Sequence, residues 1–230
     1  MELSKRLQMN ADLVMQRQRV ADVGCDHGYV SIYLSKQKEC SCIALDVNAG
    51  PLAIAKENIA MAGLSDQITC RLSDGLCEVE PGEVDAVLIA GMGGMLATRI
   101  VQQSREVVKT LRQLVIQAQS DLDHVRREIC ALGFLIDREE CCYDNGKFYL
   151  AISFLPGTQK QEYKTFEWHY GRDLLERKDN TYRIFLEKER QKKMDVMEKL
   201  KSNSSDNSRK RMAELKEQLG LLEQALETYY

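Results

Sequence analysis

Residues 19–30 read RVADVGCDHGYV, and this stretch decides the fold. Its apolar residues before Gly24 predict a short buried strand, and a tight turn runs from Gly24 to Gly28. The sequence from Tyr29 to Ser35 predicts a helix, whose free backbone N–H groups face the turn. A strand, turn and helix in this order can cradle a ligand, although the two glycines can also serve only to shape the connection.

The spacing of the glycines bears on the kind of ligand. Gly24-x-x-x-Gly28 departs from the pattern G-x-G-x-x-G, in which three glycines let the backbone approach a pyrophosphate. The turn therefore disfavours a pyrophosphate. The carboxylate of Asp22, at the start of the turn, suits a ligand that carries an ammonium group.

Two further strands each end near a carboxylate. Cys42–Val47 predicts a buried strand with Asp46 near its end, and Ile68–Leu72 predicts the next strand, followed by Asp74. The carboxyl ends of parallel strands line a ligand crevice, where an acidic residue accepts hydrogen bonds from a ribose diol. Asp46 is therefore a candidate for contact with a ribose, and Asp74 for contact with the exocyclic amine of an adenine.

The alternation of strands and helices continues and sets the fold class. A fourth strand, Val84–Ala90, is too apolar to have a solvated face and leads into a glycine-rich turn at residues 91–94. The remaining predicted elements are helices over Leu52–Ala62, Met95–Lys109 and Asp121–Leu132, and strands over Leu114–Gln117, Phe134–Ile136 and Phe148–Phe154, with a hairpin turn at Asn145-Gly146. We predict an α/β fold with a Rossmann-like, mostly parallel sheet that ends in an antiparallel C-terminal hairpin.

A change of composition at Pro156-Gly157-Thr158 predicts two domains, residues 1–157 and residues 158–230. Two apolar stripes at helical spacing predict an antiparallel helical hairpin that turns in Lys201–Ser208. The stripes are Met194, Met197 and Leu200, and Leu215, Leu219, Leu222 and Leu226. This arm either stabilises the protein or mediates its oligomerisation, which leaves both a monomer and a coiled-coil dimer open. The alternative is that the arm binds nucleic acid. In that case the residues that contact nucleic acid would be Lys192, Lys193, Arg209, Lys210 and Arg211. The acidic residues between them disfavour this interpretation.

The composition, 44% hydrophobic and 29% charged, is typical of a soluble protein. No run resembles a membrane span or a signal peptide, so we expect a cytoplasmic protein with no membrane partner. The eight cysteines lack zinc-site spacing, so we expect no metal and reduced, mostly buried thiols. Residues 1–157 hold 16 Lys+Arg against 21 Asp+Glu, and the rest hold 16 against 14, a distribution compatible with nucleic acid.

Together, the strand ends predict a site for S-adenosylmethionine rather than for NAD. The first turn has room for an amino-acid moiety, and the acids after the second and third strands suit a ribose and an adenine. The predicted cofactor-binding residues are Asp22, Gly24, Gly28, Asp46, Val47, Asp74, Gly75, Ala90, Gly91, Met92 and Gly93.

Four segments of the chain resemble the bacterial tRNA (adenine-22-N1)-methyltransferase family. They are residues 3–7 (LSKRL), 21–29 (ADVGCDHGY), 89–94 (IAGMGG) and 145–149 (NGKFY). The resemblance covers nearly the whole chain, since that family joins a class I methyltransferase domain to a C-terminal helical coiled coil. It implies that a methyl group passes from S-adenosylmethionine to N1 of an adenine in the D-arm region of tRNA, with tRNA as the partner.

Four residues, Asp26, His27, Tyr29 and Gln117, are expected near the position where the target base must arrive. We hypothesise that His27 or Asp26 handles the N6 proton, while Tyr29 or Gln117 orients the base. The alternative for His27 is a turn residue that only hydrogen-bonds the backbone.

Two departures from the family concern the rim of the substrate pocket. The chain has Gln117-Ala118-Gln119 where the family commonly has Gln-Pro-Asn, and Cys25-Asp26-His27-Gly28 where it has Ser-Asp-His-Ala. The alternatives are a methyltransferase that acts on another RNA or a small molecule, and a non-catalytic RNA-binding scaffold. The chain lacks the Asp/Asn-Pro-Pro-aromatic turn typical of methylation at adenine N6, which disfavours that chemistry.

Overall fold

The computed structural model describes residues 2–157, 162–201 and 205–230. The chain divides into two compact units, residues 1–160 and residues 161–230. The sequence-based boundary at residues 157 and 158 borders on residues 158–161, which lie outside the described ranges.

The first unit is an α/β fold around one seven-stranded sheet, with the strand order β3-β2-β1-β4-β5-β7-β6. Its elements are α1 (Lys5–Leu13), β1 (Arg19–Val23), α2 (Tyr29–Lys38), β2 (Ser41–Asp46), α3 (Ala49–Met61), β3 (Ile68–Leu72), β4 (Ala86–Met92), α4 (Gly94–Gln103), α5 (Arg105–Val108), β5 (Gln113–Ala118), α6 (Leu122–Ala131), β6 (Phe134–Asp144) and β7 (Lys147–Pro156). Strands β1 to β5 pair in parallel, while β7 pairs antiparallel with β5 and β6. The predicted Rossmann-like sheet with its antiparallel C-terminal hairpin is confirmed.

The central strands are apolar because both of their faces are covered. Strand β5 is buried at every position, and β1 is buried at every position except Arg19. Parallel strands between two layers of helices have no solvated face and so need no alternating polar residues. This arrangement brings the carboxyl ends of β1 and β4 together at one edge of the sheet.

The hairpin between β6 and β7 forms at the predicted turn. Asn145 and Gly146 both have positive φ angles, 47° and 82°, as a tight hairpin turn requires. Strand β6 is longer than the predicted Phe134–Ile136 and extends to Asp144. The charged residues that follow Ile136 do not indicate a strand in the sequence. In the structure, the register shifts between Ile136 and Arg138, and this shift turns Glu139 toward the protein interior.

Glu139 is buried against a positive charge. The Nε atom of Arg126 on α6 donates to its Oε1 atom at 2.7 Å, and the side chains are 0% and 1% exposed. This ion pair joins α6 to β6 beneath the surface of the first unit.

Two further expectations for the first unit are wrong. The predicted helix Met95–Lys109 is two helices, α4 and α5, which are separated at Ser104 with φ −108° and ψ 38°. The cysteines are all free, but three are buried, four are partly buried and Cys77 is exposed, so most are not fully buried. Cys77 follows β3 in an irregular segment, where an apolar sequence context does not guarantee burial.

The second unit is helical, which confirms the predicted helical character of the C-terminal region. It contains α7 (Thr165–Tyr170), α8 (Arg172–Glu176), α9 (Asn180–Lys201) and α10 (Asp206–Tyr229). Helices α9 and α10 run antiparallel: the Nζ atom of Lys193 donates to the Oε1 atom of Gln218 at 3.2 Å, and the hydroxyl of Tyr230 donates to the carbonyl of Asp179 at 3.2 Å. The short helices α7 and α8 are additions to the predicted hairpin.

Details of the predicted hairpin differ from the structure. Residues 206–208 are helical rather than part of the turn, because the Ser205 hydroxyl accepts a hydrogen bond from the Ser208 amide and caps α10. Residues 202–204 of the predicted turn lie outside the described ranges. Met194 is 46% exposed, whereas Tyr182 and Leu186 are the buried residues of α9. Within the described ranges, no helix combines the length and the apolar character needed to cross a membrane.

Candidate active site

A cavity of about 400 Å³ opens at the carboxyl ends of β1 and β4. Eight of the predicted site residues line it: Asp22, Gly24, Asp26, His27, Tyr29, Ala90, Gly91 and Met92. A larger hollow of about 660 Å³ lies between α1 and β6 and is lined by none of the predicted site residues. We place the site in the smaller cavity because ligands of open parallel sheets bind at the carboxyl ends of the strands.

The first turn is fixed against the end of β2. The amides of Gly24 and Cys25 both donate to the carbonyl of Leu45, at 2.8 and 2.9 Å. Gly24 has φ +73°, and a Cβ atom there would lie 2.6 Å from the Cε atom of Met92. Only glycine therefore fits between this turn and the end of β4 without displacing the Met92 side chain.

Gly28 borders a different part of the structure. It has φ +74° and precedes α2, and a Cβ atom there would lie 3.2 Å from the Cβ atom of Ala55 on α3. Gly75 likewise packs against α4, since its Cβ atom would lie 2.8 Å from the Cγ2 atom of Ile100. These two glycines permit close packing of helices behind the cavity, and neither lines it.

Asp22 is a buried carboxylate at the start of the turn, with 3% of its surface exposed. The hydroxyl of Ser31 donates to its Oδ2 atom at 2.7 Å. Burial raises the pKa of the Asp22 carboxyl to about 6, against the opposing effect of the hydrogen bonds from Ser31. A carboxylate in this setting would be stabilised by a cationic partner, which fits the ammonium group of an amino-acid ligand.

Asp46 lies where β2 meets the first turn and is 8% exposed. Its Oδ1 atom accepts from the amide of Asn48 at 2.8 Å, and its Oδ2 atom accepts from the amide of Asp26 at 3.3 Å. Each carboxylate oxygen has a further lone pair, so the geometry remains compatible with a ribose diol.

Val47, Asp74 and Gly93 lie outside the cavity lining, as does Asp46. Val47 is 61% exposed, and Asp74 is also exposed, so these two residues form an open continuation of the sheet edge rather than a closed pocket. Leu72, the register partner of Asp46 on β3, is 54% exposed at this edge.

His27 and its neighbours present polar groups at the cavity. The Nε2 atom of His27 lies 3.5 Å from the Oδ1 atom of Asp26, and the two side chains are 40% and 75% exposed. The rings of His27 and Tyr29 meet edge to face with their centroids 5.8 Å apart. The Nδ2 atom of Asn58 on α3 donates to the His27 carbonyl at 2.9 Å and so braces the turn.

Gln117 lies behind the cavity rather than in its lining. It is 1% exposed, and its Oε1 atom accepts from the Nη1 atom of Arg6 at 3.5 Å. Its Nε2 atom is buried and has no hydrogen-bond partner within the described ranges. The structure thus brings Asp26, His27 and Tyr29 together at the cavity and links Gln117 to it through Arg6.

Gln119 lines the cavity and belongs to the segment that departs from the Gln-Pro-Asn sequence common in the family. Its backbone amide donates to the carbonyl of Met92 at 2.8 Å, and its Nε2 atom donates to the carbonyl of Gly91 at 2.9 Å. Gln119 thereby ties the end of β5 to the end of β4. The sequence marks Gln119 as a departure from the family but does not indicate this contact.

No group of three or more metal-binding side chains occurs in the parts of the chain that the structure describes.

Comparisons with known proteins agree with this geometry. Residues 3–152 match a family described as "Methyltransferase domain". The tRNA (adenine(22)-N(1))-methyltransferase of Bacillus subtilis is 27% identical, over 99% of this chain and 98% of that protein. The structure of a putative tRNA (m1A22) methyltransferase from Streptococcus pneumoniae has a TM-score of 0.88 at 29% identity, covering 98% of this chain and 100% of that chain. The same protein in complex with S-adenosyl-L-methionine gives a TM-score of 0.83 at 28% identity, with the same coverage.

Proposed function

The chain belongs to the methyltransferase-domain family, and we propose that it transfers a methyl group from S-adenosylmethionine to N1 of adenine 22 in tRNA. The cavity at the ends of β1 and β4 carries this proposal. It places a buried acceptor for an ammonium group, Asp22, beside exposed polar groups on Asp26 and His27. The similarity to enzymes of this activity extends over 98–99% of the chain.

S-adenosylmethionine supplies an electrophilic methyl group when it is bound. We assign its ammonium group to Asp22, its ribose to Asp46 and its adenine to the open edge at Asp74. The proposed cofactor site is completed by Val47, by the turns that contain Gly24, Gly28 and Gly75, and by the segment Ala90–Gly93. The buried Asp22 carboxylate, with its raised pKa, supports this assignment because an ammonium group would compensate for its lost hydration.

The residues at the exposed side of the cavity are assigned to the base. Methylation at N1 leaves a positive charge on the adenine, which is neutralised when N6 loses a proton. We assign acceptance of that proton to His27 or Asp26 and orientation of the base to Tyr29 or Gln117. The exposure of Asp26 and His27 supports this division, since these groups can meet a base that has left its stack.

The same proposal includes a division of the chain into two domains. Residues 1–157 would bind the cofactor, and residues 158–230 would form a helical hairpin of coiled-coil type that stabilises the protein or contacts tRNA. The antiparallel contacts between α9 and α10 support the hairpin. We also propose a cytoplasmic location, where unmodified tRNA is available.

The identity of the methylated atom is tested by nucleoside analysis. Unmodified tRNA is incubated with the protein and S-adenosylmethionine, digested to nucleosides and separated by liquid chromatography with mass detection. We expect 1-methyladenosine as the product. Methylation of another nucleoside, or 6-methyladenosine formed before any alkaline treatment, would contradict the proposed chemistry.

Cofactor binding is expected to depend on pH through Asp22. Its pKa of about 6 means that the carboxylate form, which attracts the ammonium group, becomes dominant as the pH rises through 6. We therefore expect the Kd for S-adenosylmethionine to fall by about tenfold between pH 5 and pH 7, since the ionised fraction of a carboxyl with this pKa rises from about a tenth to about nine tenths over that range. Isothermal titration calorimetry at constant ionic strength measures this change.

The variant Asp22→Asn is the control for this prediction. It cannot ionise at this position, so we expect weaker binding and a nearly flat pH profile. A flat profile in the unmodified protein, or an equally steep one in the variant, would remove Asp22 from the ammonium site.

A further inference from the structure

Arg6 contacts the cavity from α1, an element outside the strand-turn-helix of the first turn. We propose that Arg6 binds a backbone phosphate of the target nucleotide at the mouth of the cavity. This inference rests on the proposed function and assigns a residue to its RNA substrate.

Several contacts hold Arg6 in place. Its backbone amide donates to the Oδ2 atom of Asp144 at 3.1 Å, and its guanidinium carbon lies 5.4 Å from the centroid of the Tyr149 ring. Its Nη1 atom donates to Gln117 and would lie 3.3 Å from a Cβ atom at Gly91. Residues 3–7 and 145–149, two segments far apart in sequence, thus meet around one guanidinium group at the cavity.

The guanidinium charge is available to a ligand. Among the described residues, no carboxylate lies within 4 Å of the guanidinium nitrogens of Arg6, and the contacts of this group are with an aromatic ring and a neutral amide. An aromatic face and an amide oxygen orient a guanidinium without neutralising its charge. The guanidinium of Arg6 is therefore both oriented and charged, as the binding of an anion requires.

The acidic surroundings of this cavity would oppose RNA binding if no positive charge were present. Asp22 and Asp26 line the same cavity, and Arg6 is the one lysine or arginine among its described lining residues. Residues 1–157 carry 16 Lys+Arg against 21 Asp+Glu. Asp26 and the excess of acids in residues 1–157 would repel a polyanion that approaches this cavity, and Arg6 supplies the local attraction.

A phosphate is a better partner for Arg6 than the base itself. The N1-methylated adenine is cationic before it loses its proton, so a guanidinium beside N1 would oppose the reaction. An extruded nucleotide brings its own phosphates to the mouth of the pocket. The planar guanidinium binds phosphate through two parallel hydrogen bonds, which also fixes the position of the nucleotide.

The test measures the Kd for unmodified tRNA by fluorescence anisotropy over a series of KCl concentrations. For Arg6→Ala, and for Arg6→Gln as a second neutral variant, we expect tRNA affinity to fall about tenfold. The slope of log K against log[KCl] should become shallower by about 0.7 to 0.9. Arg6→Lys should keep the slope and recover part of the affinity. Arg17→Ala removes an exposed arginine that pairs with Glu39, and it should behave as the unmodified protein.

The controls separate this inference from its premise. The Kd for S-adenosylmethionine and the far-UV circular dichroism spectrum should remain unchanged in both neutral variants, and a slope equal to that of the unmodified protein in a folded neutral variant would overturn the role of Arg6. If the unmodified protein binds tRNA but does not form 1-methyladenosine at position 22, the proposed function fails instead. A structural role for Arg6 would change stability without changing the salt slope.

Discussion

Replacing His27 by alanine is expected to lower kcat for tRNA methylation by a factor of about 10²–10⁴, the usual contribution of a positioned acid or base. The His27 ring is 40% exposed at the cavity and lies 3.5 Å from the Asp26 carboxylate, so it can accept a proton from the base. We expect the Kd for S-adenosylmethionine to change by less than about twofold, because we assign the ammonium group and the ribose of the cofactor to Asp22 and Asp46. Single-turnover methylation with saturating cofactor measures the effect.

His124→Ala is the matched control. This histidine belongs to the same unit, but its Nε2 atom lies 3.2 Å from the Thr98 hydroxyl and outside the cavity lining. Its loss should leave the rate of methyl transfer nearly unchanged. Full activity in His27→Ala combined with a large loss of activity in Asp26→Asn would identify Asp26, rather than His27, as the proton acceptor. Full activity in both variants would exclude the pair from the chemistry.

Breaking the buried ion pair between α6 and β6 is expected to destabilise the first unit strongly. In Arg126→Met, the Glu139 carboxylate would lose the guanidinium that lies 2.7 Å away while remaining almost fully buried. Removal of one partner from a buried pair costs about 3–5 kcal/mol of unfolding free energy. Urea denaturation followed by circular dichroism measures this loss.

Two further variants identify the cause. Arg138→Met removes an exposed pair on the same strand, with side-chain exposures of 60% for Arg138 and 23% for Glu140, and should cost less than about 1 kcal/mol. The double variant Arg126→Met/Glu139→Leu should recover most of the stability, since it buries no unpaired charge. A double variant as unstable as the single one would show that packing, rather than charge, sets the loss.

The sheet could be predicted from the sequence because its signals are local. Strands such as Val84–Ala90 are too apolar to be solvated, and the Asn145-Gly146 turn needs the positive φ angles that these residues allow. The extension of β6 could not be predicted, because Asp137–Glu140 resembles a solvated loop until Arg126 is known to lie against Glu139. The break at Ser104 likewise has no proline or glycine to mark it.

The site was predictable only in part, for the same reason. Asp22, Gly24, Asp26, His27 and Tyr29 belong to one continuous segment, so their approach to one cavity follows from a single turn. The contact between Arg6 and Gln117 joins residues 111 positions apart, and it depends on how α1 packs near the β6–β7 hairpin. Sequence spacing contains no information about such a contact.

The central claim is that the protein methylates N1 of adenine 22 in tRNA. It is tested most directly by transfer of a radiolabelled methyl group from S-adenosylmethionine to two unmodified transcripts of one tRNA, one with adenine at position 22 and one with guanine there. We predict labelling of the adenine transcript alone. Equal labelling of both transcripts, or labelling of neither by protein that binds the cofactor, would contradict the account.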